Sequence, residues 1–522
     1  MKKVNNLNKK EIGEYYTPKN LAINMVKKIR DDISNSDILE PSVGDGIFLE
    51  PLMQYNPKSI DCVELFQKKC DFITNQYNSD KLNVICSDFI DYSLNCKKKY
   101  DIIIGNPPYI KKSNINEDVM TKSKKLLECF SNSNIKIENI WVSFILGSVK
   151  LLKKNGSIYF VLPFEFLQVC YSEELRLFLE KKFNKIEITV FNKKVFPLIE
   201  QDVCLLYMTN DEKFNKEYIE YKVVEDENNI ENFAYESKIM KNKPLKKWTN
   251  SIISDEETEL IKHKSDIFMK ISDFGYTSPG IVTGNNSYFI KNNEFIKATN
   301  AECIPIISKS ILIGNKVIFS KDDFNELIAN NKDVFLLKLS QQKQNYSKEL
   351  IEYLEAGEQK KLNETYKCKT HKPWYNVPII KKGDVLFFKR YHLIPKLVIN
   401  DADIYTTDIS YNIRLEDKYD KKSFCFCFYN SLTLVMTEYC GRFYGGGVCE
   451  LIPSEFKELP LPYQQISDTD LNKLDRMIRN NERVENITDF VDSRVLKKFI
   501  SEEEIKIIKE IKIGRASCRE RV

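Results

Sequence analysis

Seven short runs rich in β-branched and aromatic residues punctuate the first two hundred positions, with helical patterns between the early ones. They are DILE 37–40, SIDCVE 59–64, LNVICS 82–87, DIIIG 101–105, SIYFVL 157–162, IEITVF 186–191 and VCLLYM 203–208. Strands separated by helices run parallel and are covered on both faces, so the pattern predicts an α/β fold with a seven-stranded, mostly parallel, Rossmann-like sheet. Helices are predicted at 18–30, where Leu21, Met25 and Ile29 recur every four residues, and at 140–153 and 172–183. The polar stretch 111–139 follows the fourth strand directly and reads as a long connection, which in a compact domain usually serves function.

At 522 residues the chain exceeds what one hydrophobic core serves, which predicts about two to four domains. The first is expected at 1–212. From 213 the style changes: DEKFNKEYIEYKVVEDENNIEN is charged and poor in large aliphatics, as in a linker or surface hairpin. A second α+β domain is expected at 213–463, and a helical, charge-laced segment at 464–512. The last ten residues, IGRASCRERV at 513–522, break from this style and resemble the translation of a sequencing-adapter read-through. They are set aside as a non-native tail, and on that reading the natural C-terminus is missing.

Composition excludes several classes. Hydrophobic residues make up 42% and charged residues 30%, with no apolar run of the ~18 residues that a membrane span needs. The N-terminal MKKVNNLNKKEIGEYY carries charge without an apolar stretch behind it, so it is no secretory signal, and the expected compartment is the cytoplasm. Fourteen cysteines fall singly, without a CxxC pair; Cys425 and Cys427 would share one face of a strand. His263, His371 and His392 lie far apart, which argues against a histidine metal site or triad, and no metal is expected. The net charge of +4 permits a nucleic-acid partner without demanding one.

The chemistry-bearing residues fall at strand ends. In ILEPSVGDGIF, 38–48, an acidic residue is followed by Gly44 and Gly46 at the opening of a helix, where a ligand can approach backbone. A lone GxG is also a common turn. The second strand ends at Glu64, near the ~20-residue offset at which an acid grips a ribose, and the third leads into Asp88 and Phe89, a carboxylate and a ring that suit an adenine. Each is alone a solvated acid or a core phenylalanine; the series at successive strand ends favours a ligand. The fourth strand delivers Asn106, Pro107, Pro108 and Tyr109 to the edge where ligands of open α/β sheets bind. Adenine N6 is a poor nucleophile because its lone pair is delocalised into the ring. Two acceptors, the Asn106 side-chain oxygen and the Pro107 carbonyl, would draw the amino nitrogen toward tetrahedral geometry. Proline fixes the direction of the backbone and brings no competing N–H. Tyr109 then offers a face for an extruded base.

Together GEYYTP 13–18, LEPSVGDG, Glu64, SDF, NPPY and VFPLIEQDVCLL 195–206 resemble, in order, the motifs of the gamma-class N6-adenine DNA methyltransferases of restriction-modification systems. The resemblance continues more loosely through GIVTGNNSYFI 280–290, HKPWYNVP 371–378 and GRFYGGGVCELIPSEFKELPLP 441–462, similar to that family's target-recognition region. It implies a class I methyltransferase sheet, S-adenosylmethionine as cofactor, double-stranded DNA as substrate and a separately encoded restriction endonuclease as partner. It implies that Thr17, Pro18, Glu40, Gly44, Gly46, Glu64, Asp88 and Phe89 bind the cofactor, and that Phe196 packs with Tyr109 on a flipped adenine. Thr17–Pro18 is equally a good helix N-cap and N1 pair, and Phe196 by composition is a core residue. SVGDG departs from the common glycine loop at Val43 and Asp45.

For DNA contact the candidates are Lys381, Lys382, Lys389 and Arg390 around Phe387 and Phe388, with Gly446 of the Gly445–Gly447 run; solvated lysines over a β core are the plainer alternative. No cysteine flanks Asn106–Tyr109, which argues against covalent C5-cytosine chemistry. Three rival readings stand beside this one: an NPPY enzyme acting on protein glutamine or RNA, a catalytically silent DNA specificity protein, and a fused methylase and nuclease.

Overall fold

The computed structural model describes residues 17–130, 134–193, 195–196, 202–214, 217–241, 245, 247–340, 342–444 and 448–519. The described residues up to Ile253 form one compact unit, and those from Ser254 to Phe443 and from Val448 to Ser517 form another.

The first unit is built on one sheet of nine strands rather than seven. In chain order these are β1 Asp37–Glu40, β2 Ser59–Glu64, β3 Leu82–Cys86, β4 Tyr100–Gly105, β5 Leu152–Pro163, β6 Lys185–Phe191, β7 Val203–Thr209, β8 Tyr218–Val224 and β9 Phe233–Met240. In space they run β3-β2-β1-β4-β5-β7-β6-β8-β9. The β3-to-β5 half is parallel throughout, whereas β7 is antiparallel to both of its neighbours and β9 to β8. The order reverses at β1, between β2 and β4, and this is the switch point at which a crevice opens at the carboxyl ends of the strands. Ile102, Ile103 and Ile104 of β4 are all buried, because helices cover both faces; among them is Trp141–Leu151, buried along nearly its whole length.

The boundary expected at 212/213 moves to 253/254 because β8 pairs parallel with β6 and carries β9 as a hairpin. Two of the charges that read as a linker, Glu220 and Lys222, are paired inside the sheet. Glu187, 2% exposed, takes Lys222 at 3.1 Å and Lys185 at 3.4 Å, and also Lys28 of helix Lys19–Lys28. Buried charges are tolerated when paired, and composition cannot show the pairing. The stretch 111–139 is likewise not all loop. It holds the helix Glu117–Glu128, started by Asn116, whose side chain accepts from the backbone N–H of Val119.

The second unit contains a five-stranded sheet, in spatial order Gly275–Pro279, Ser410–Leu415, Val385–Phe388, Lys396–Asn400 and Ile318–Phe319. Cys425 and Cys427 lie in the helix Lys421–Phe428, not on a strand; the helix is buried on several sides, so alternate positions are both hidden. The C-terminal helices are tied into this unit. Asp475 accepts from the backbone N–H groups of Val317 and Ile318 at 2.7 and 3.0 Å, and Asp492 from that of Ser431 at 2.9 Å. Helix Glu502–Arg519 runs on into the stretch set aside as a tail, and residues 520–522 lie outside the described ones. Among the described residues no helix is long and apolar enough to cross a membrane, and no cluster of His, Cys, Asp and Glu could hold a metal ion.

Candidate active site

One cleft in the first unit is lined by Thr17, just before the helix Lys19–Lys28, and by Glu40, Gly44, Glu64, Asp88, Phe89, Asn106 and Pro108 from the ends of β1, β2, β3 and β4. The loop after β1 turns sharply: Gly44 and Gly46 have φ of +58° and +80°, a region that disfavours any Cβ. Their surroundings differ. A Cβ on Gly44 would meet nothing within 4 Å, so this backbone faces open cleft, whereas one on Gly46 would sit 2.7 Å from Ile73 Cδ1 and 3.1 Å from Tyr77. Gly44 keeps space for a ligand, and Gly46 lets the loop pack on the helix Gln67–Gln76.

Glu64 does more than present a charge. Its Oε2 accepts from Gly44 N–H at 3.1 Å and its Oε1 from Phe66 N–H at 3.0 Å, so one carboxylate ties the glycine loop to the chain leaving β2. Burial raises the Glu64 pKa against the pull of these bonds. Glu40 is fully buried, and its pKa stands well above the ordinary range, first because of burial and then because Asp45 and Glu64 lie near. Its Oε2 has no partner among the described residues. Asp45 is also raised by burial. Three acids thus surround a cleft whose walls include Phe66, Ile110, Ile115 and Phe144. Such a site suits a ligand that brings positive charge and hydrogen-bond donors on an apolar body.

Asp88 caps the helix Phe89–Asn95, accepting from Ile90 N–H at 2.8 Å, and Phe89 stacks on Phe144 with ring centroids 4.8 Å apart. At the end of β4, Asn106 is held from both sides. Its Nδ2 donates to Thr17 Oγ1 at 3.2 Å, and its Oδ1 accepts from Tyr109 OH at 2.9 Å; the Tyr109 hydroxyl also lies 3.2 Å from the Val161 carbonyl. Ser42 Oγ donates to the Asn106 backbone carbonyl at 3.1 Å. The two readings of Thr17 part here. Pro18, not Thr17, occupies the N-cap of Lys19–Lys28 without a side-chain cap, and the Thr17 hydroxyl turns to Asn106.

Several expected residues lie elsewhere. Pro18 and Gly46 are not among the cleft-lining residues. Pro107, Tyr109 and Phe196 are buried, and none of them lines this cleft; Phe196 is 4% exposed within the core of the unit. Residues 13–16 and 197–201 of the resembling motifs lie outside the described residues. Sequence reasoning missed Ser42, Phe144 and the Asn114–Asn116 turn. Phe144 had a signal, since the apolar run WVSFILGSV leaves that helix no solvated face; Ser42 had none.

In the second unit two of the four basic candidates are engaged. Lys382 pairs with Asp403, and Arg390 Nε donates to Glu450 at 3.0 Å. Lys381 is exposed and Lys389 half-buried. Phe387 and Phe388 are fully buried, so they are core rather than surface aromatics, and Gly446 lies outside the described residues.

Comparison with known proteins agrees with this geometry. Residues 21–196 match the family described as "Eco57I restriction-modification methylase", and residues 245–496 match "Type II methyltransferase M.Eco57I, C-terminal domain". The chain belongs to the type II restriction-modification methylases. It is accordingly a DNA methyltransferase of a restriction-modification system, and S-adenosylmethionine is its methyl donor. Type II methyltransferase M.AccI of Acinetobacter calcoaceticus is 26% identical over 78% of this chain and 77% of its own length. M.HincII of Haemophilus influenzae is 31% identical over 37% of this chain and 36% of its own. The type IIL restriction-modification enzyme MmeI, solved in complex with DNA, shares the fold with a TM-score of 0.55 at 11% identity, over 96% of this chain and 75% of MmeI.

Proposed function

We propose that the reaction is transfer of a methyl group to N6 of an adenine extruded from duplex DNA. The observation that carries this reading is the Asn106 amide, clamped between Thr17 and Tyr109 at the rim of the cleft. An amide free to rotate would present oxygen and nitrogen alternately. Thr17 holds the nitrogen and Tyr109 one lone pair of the oxygen, so the other lone pair is directed in a constant sense. Asn106 Oδ1 and the Pro107 carbonyl then accept the two N6 hydrogens, localise the nitrogen lone pair and orient it for attack. When bound, S-adenosylmethionine supplies an electrophilic methyl group on a sulfonium. Glu40 accepts from its donors at the methionine end, Gly44 gives room for its approach, Glu64 takes ribose hydroxyls on lone pairs not used by the loop, and Asp88 with Phe89 holds its adenine. Thr17 touches both the cleft and the amide, linking donor binding to the acceptor site.

Tyr109 acts here as a positioning residue through its hydroxyl. The second unit supplies phosphate and base-edge contacts, and a separately encoded endonuclease that cuts the unmodified site is the partner such a methylase calls for. The test is transfer of labelled methyl to unmethylated mixed-sequence duplex, with N6-methyladenine assayed and Asn106→Ala as control. Label in N6-methyladenine that vanishes in the control is expected. Label in protein or RNA alone would overturn the reading.

A further inference from the structure

The Lys382–Asp403 and Arg390–Glu450 pairs raise the question of which part of the second unit is left to meet phosphate. Residues 360–372, KKLNETYKCKTHK, carry five lysines and one glutamate, a balance of +4 with His371 neutral, which equals the net charge of the whole chain. Lys360, Lys361, Lys367, Lys369 and Lys372 are all exposed, and among the described residues none is ion-paired. Nearby lysines of the same unit are paired: Lys343 with Glu358 at 3.0 Å and Lys338 with Glu302 at 3.5 Å. In the middle stands Tyr366, 74% exposed, with the Lys367 and Lys369 ammonium groups 5.6 and 5.7 Å from its ring centroid.

This segment is not a loose tail. Short backbone bonds wind it, Lys369 N to Thr365 O at 3.0 Å and His371 N to Cys368 O at 3.0 Å. Cys368 is fully buried, and the backbone of Gly284 packs so close that a Cβ there would lie 2.9 Å from Lys367 Cβ. Trp374, just beyond, donates from Nε1 to Glu358 at 3.1 Å and packs on Tyr288. Exposed charges of one sign gathered on an anchored turn create a local positive potential, which attracts a polyanion.

We propose that residues 360–372 form a DNA-backbone contact surface, in which Lys367, Lys369 and Lys372 each meet a phosphate and Tyr366 packs against sugar. The inference rests on the DNA-methylating reading and assigns to it a surface apart from Lys382 and Arg390, which are ion-paired. Charge-matched contact of this kind is sequence-independent and appears as salt dependence of binding.

The test measures binding of the full-length protein to mixed-sequence duplex DNA across a salt series. The variants are Lys367→Glu/Lys369→Glu/Lys372→Glu and, with charge intact, Tyr366→Ala. Each phosphate contact contributes a slope of about 0.9, so the triple variant should lose about 2 to 3 from the slope of log K against log salt. Tyr366→Ala should weaken binding several-fold and keep the slope. S-adenosylmethionine binding and the thermal transition should match wild type in both variants. A normally folded triple variant with the wild-type slope would overturn the assignment. Wild-type protein that binds S-adenosylmethionine but no duplex would instead overturn the functional reading, and this surface with it.

Discussion

Glu64→Gln separates what Glu64 does for the chain from what it does for a ligand. The carboxylate accepts Gly44 N–H at 3.1 Å on one oxygen and Phe66 N–H at 3.0 Å on the other. Glutamine has the same shape but only one oxygen, so its NH2 must face one of these N–H groups, donor against donor. A buried N–H left without an acceptor costs about 1–3 kcal/mol. Relief of the carboxylate's own burial, the cause of its raised pKa, offsets part of this. The expected net loss is about 1–2 kcal/mol, or roughly 2–8 °C in Tm for a unit of this size. Urea unfolding at pH 8 followed by tryptophan fluorescence reads it, since Trp141 and Trp248 are fully buried in the first unit. Calorimetry on the same samples reads S-adenosylmethionine affinity. Weaker affinity with an unchanged urea midpoint would refute the reasoning, because the loop would then not depend on those two bonds.

The glycines of the same loop should part company. Gly46→Ala meets both a left-handed backbone and Ile73 at 2.7 Å and should cost about 2–5 kcal/mol, whereas Gly44→Ala, with open space around it, should cost about 1–2 kcal/mol and chiefly reduce cofactor affinity. Tyr109→Phe removes the donor to Asn106 and Val161. It should lower kcat about tenfold to a hundredfold with cofactor affinity nearly unchanged, and a wild-type kcat would contradict the positioning role. Glu40 has its pKa raised above 4.5 by burial, so in the unliganded protein its contribution is fully present below the ordinary glutamate range and is lost as pH rises through the folded value. Glu40→Gln should remove that loss and flatten the stability–pH profile above the glutamate range; parallel profiles for the two proteins would sink the argument.

Strand–helix alternation and the placing of acids, glycines and NPPY at strand ends were legible along the chain, since both depend on near neighbours. All seven expected strands are present, and the residues at the ends of β1 to β4 meet in one cleft. Other features hang on distant partners and emerge only in the folded chain. The charged segment after 212 became two further strands, with its Lys222 paired to Glu187 and its Glu220 to Lys185 across the sheet. SFCFCF at 423–428 alternates as a strand would, yet burial on several sides made it a helix. Thr17 reached Asn106 across 89 positions, turning a residue that suits an N-cap into a clamp on the amide. Lysines that look alike in sequence divided into paired ones at 382 and 343 and unpaired ones at 360–372 according to which acids the fold brought near. Periodicity and motif spacing record local preference, whereas pairing of charges and saturation of hydrogen bonds are set by long-range contacts that no local window contains.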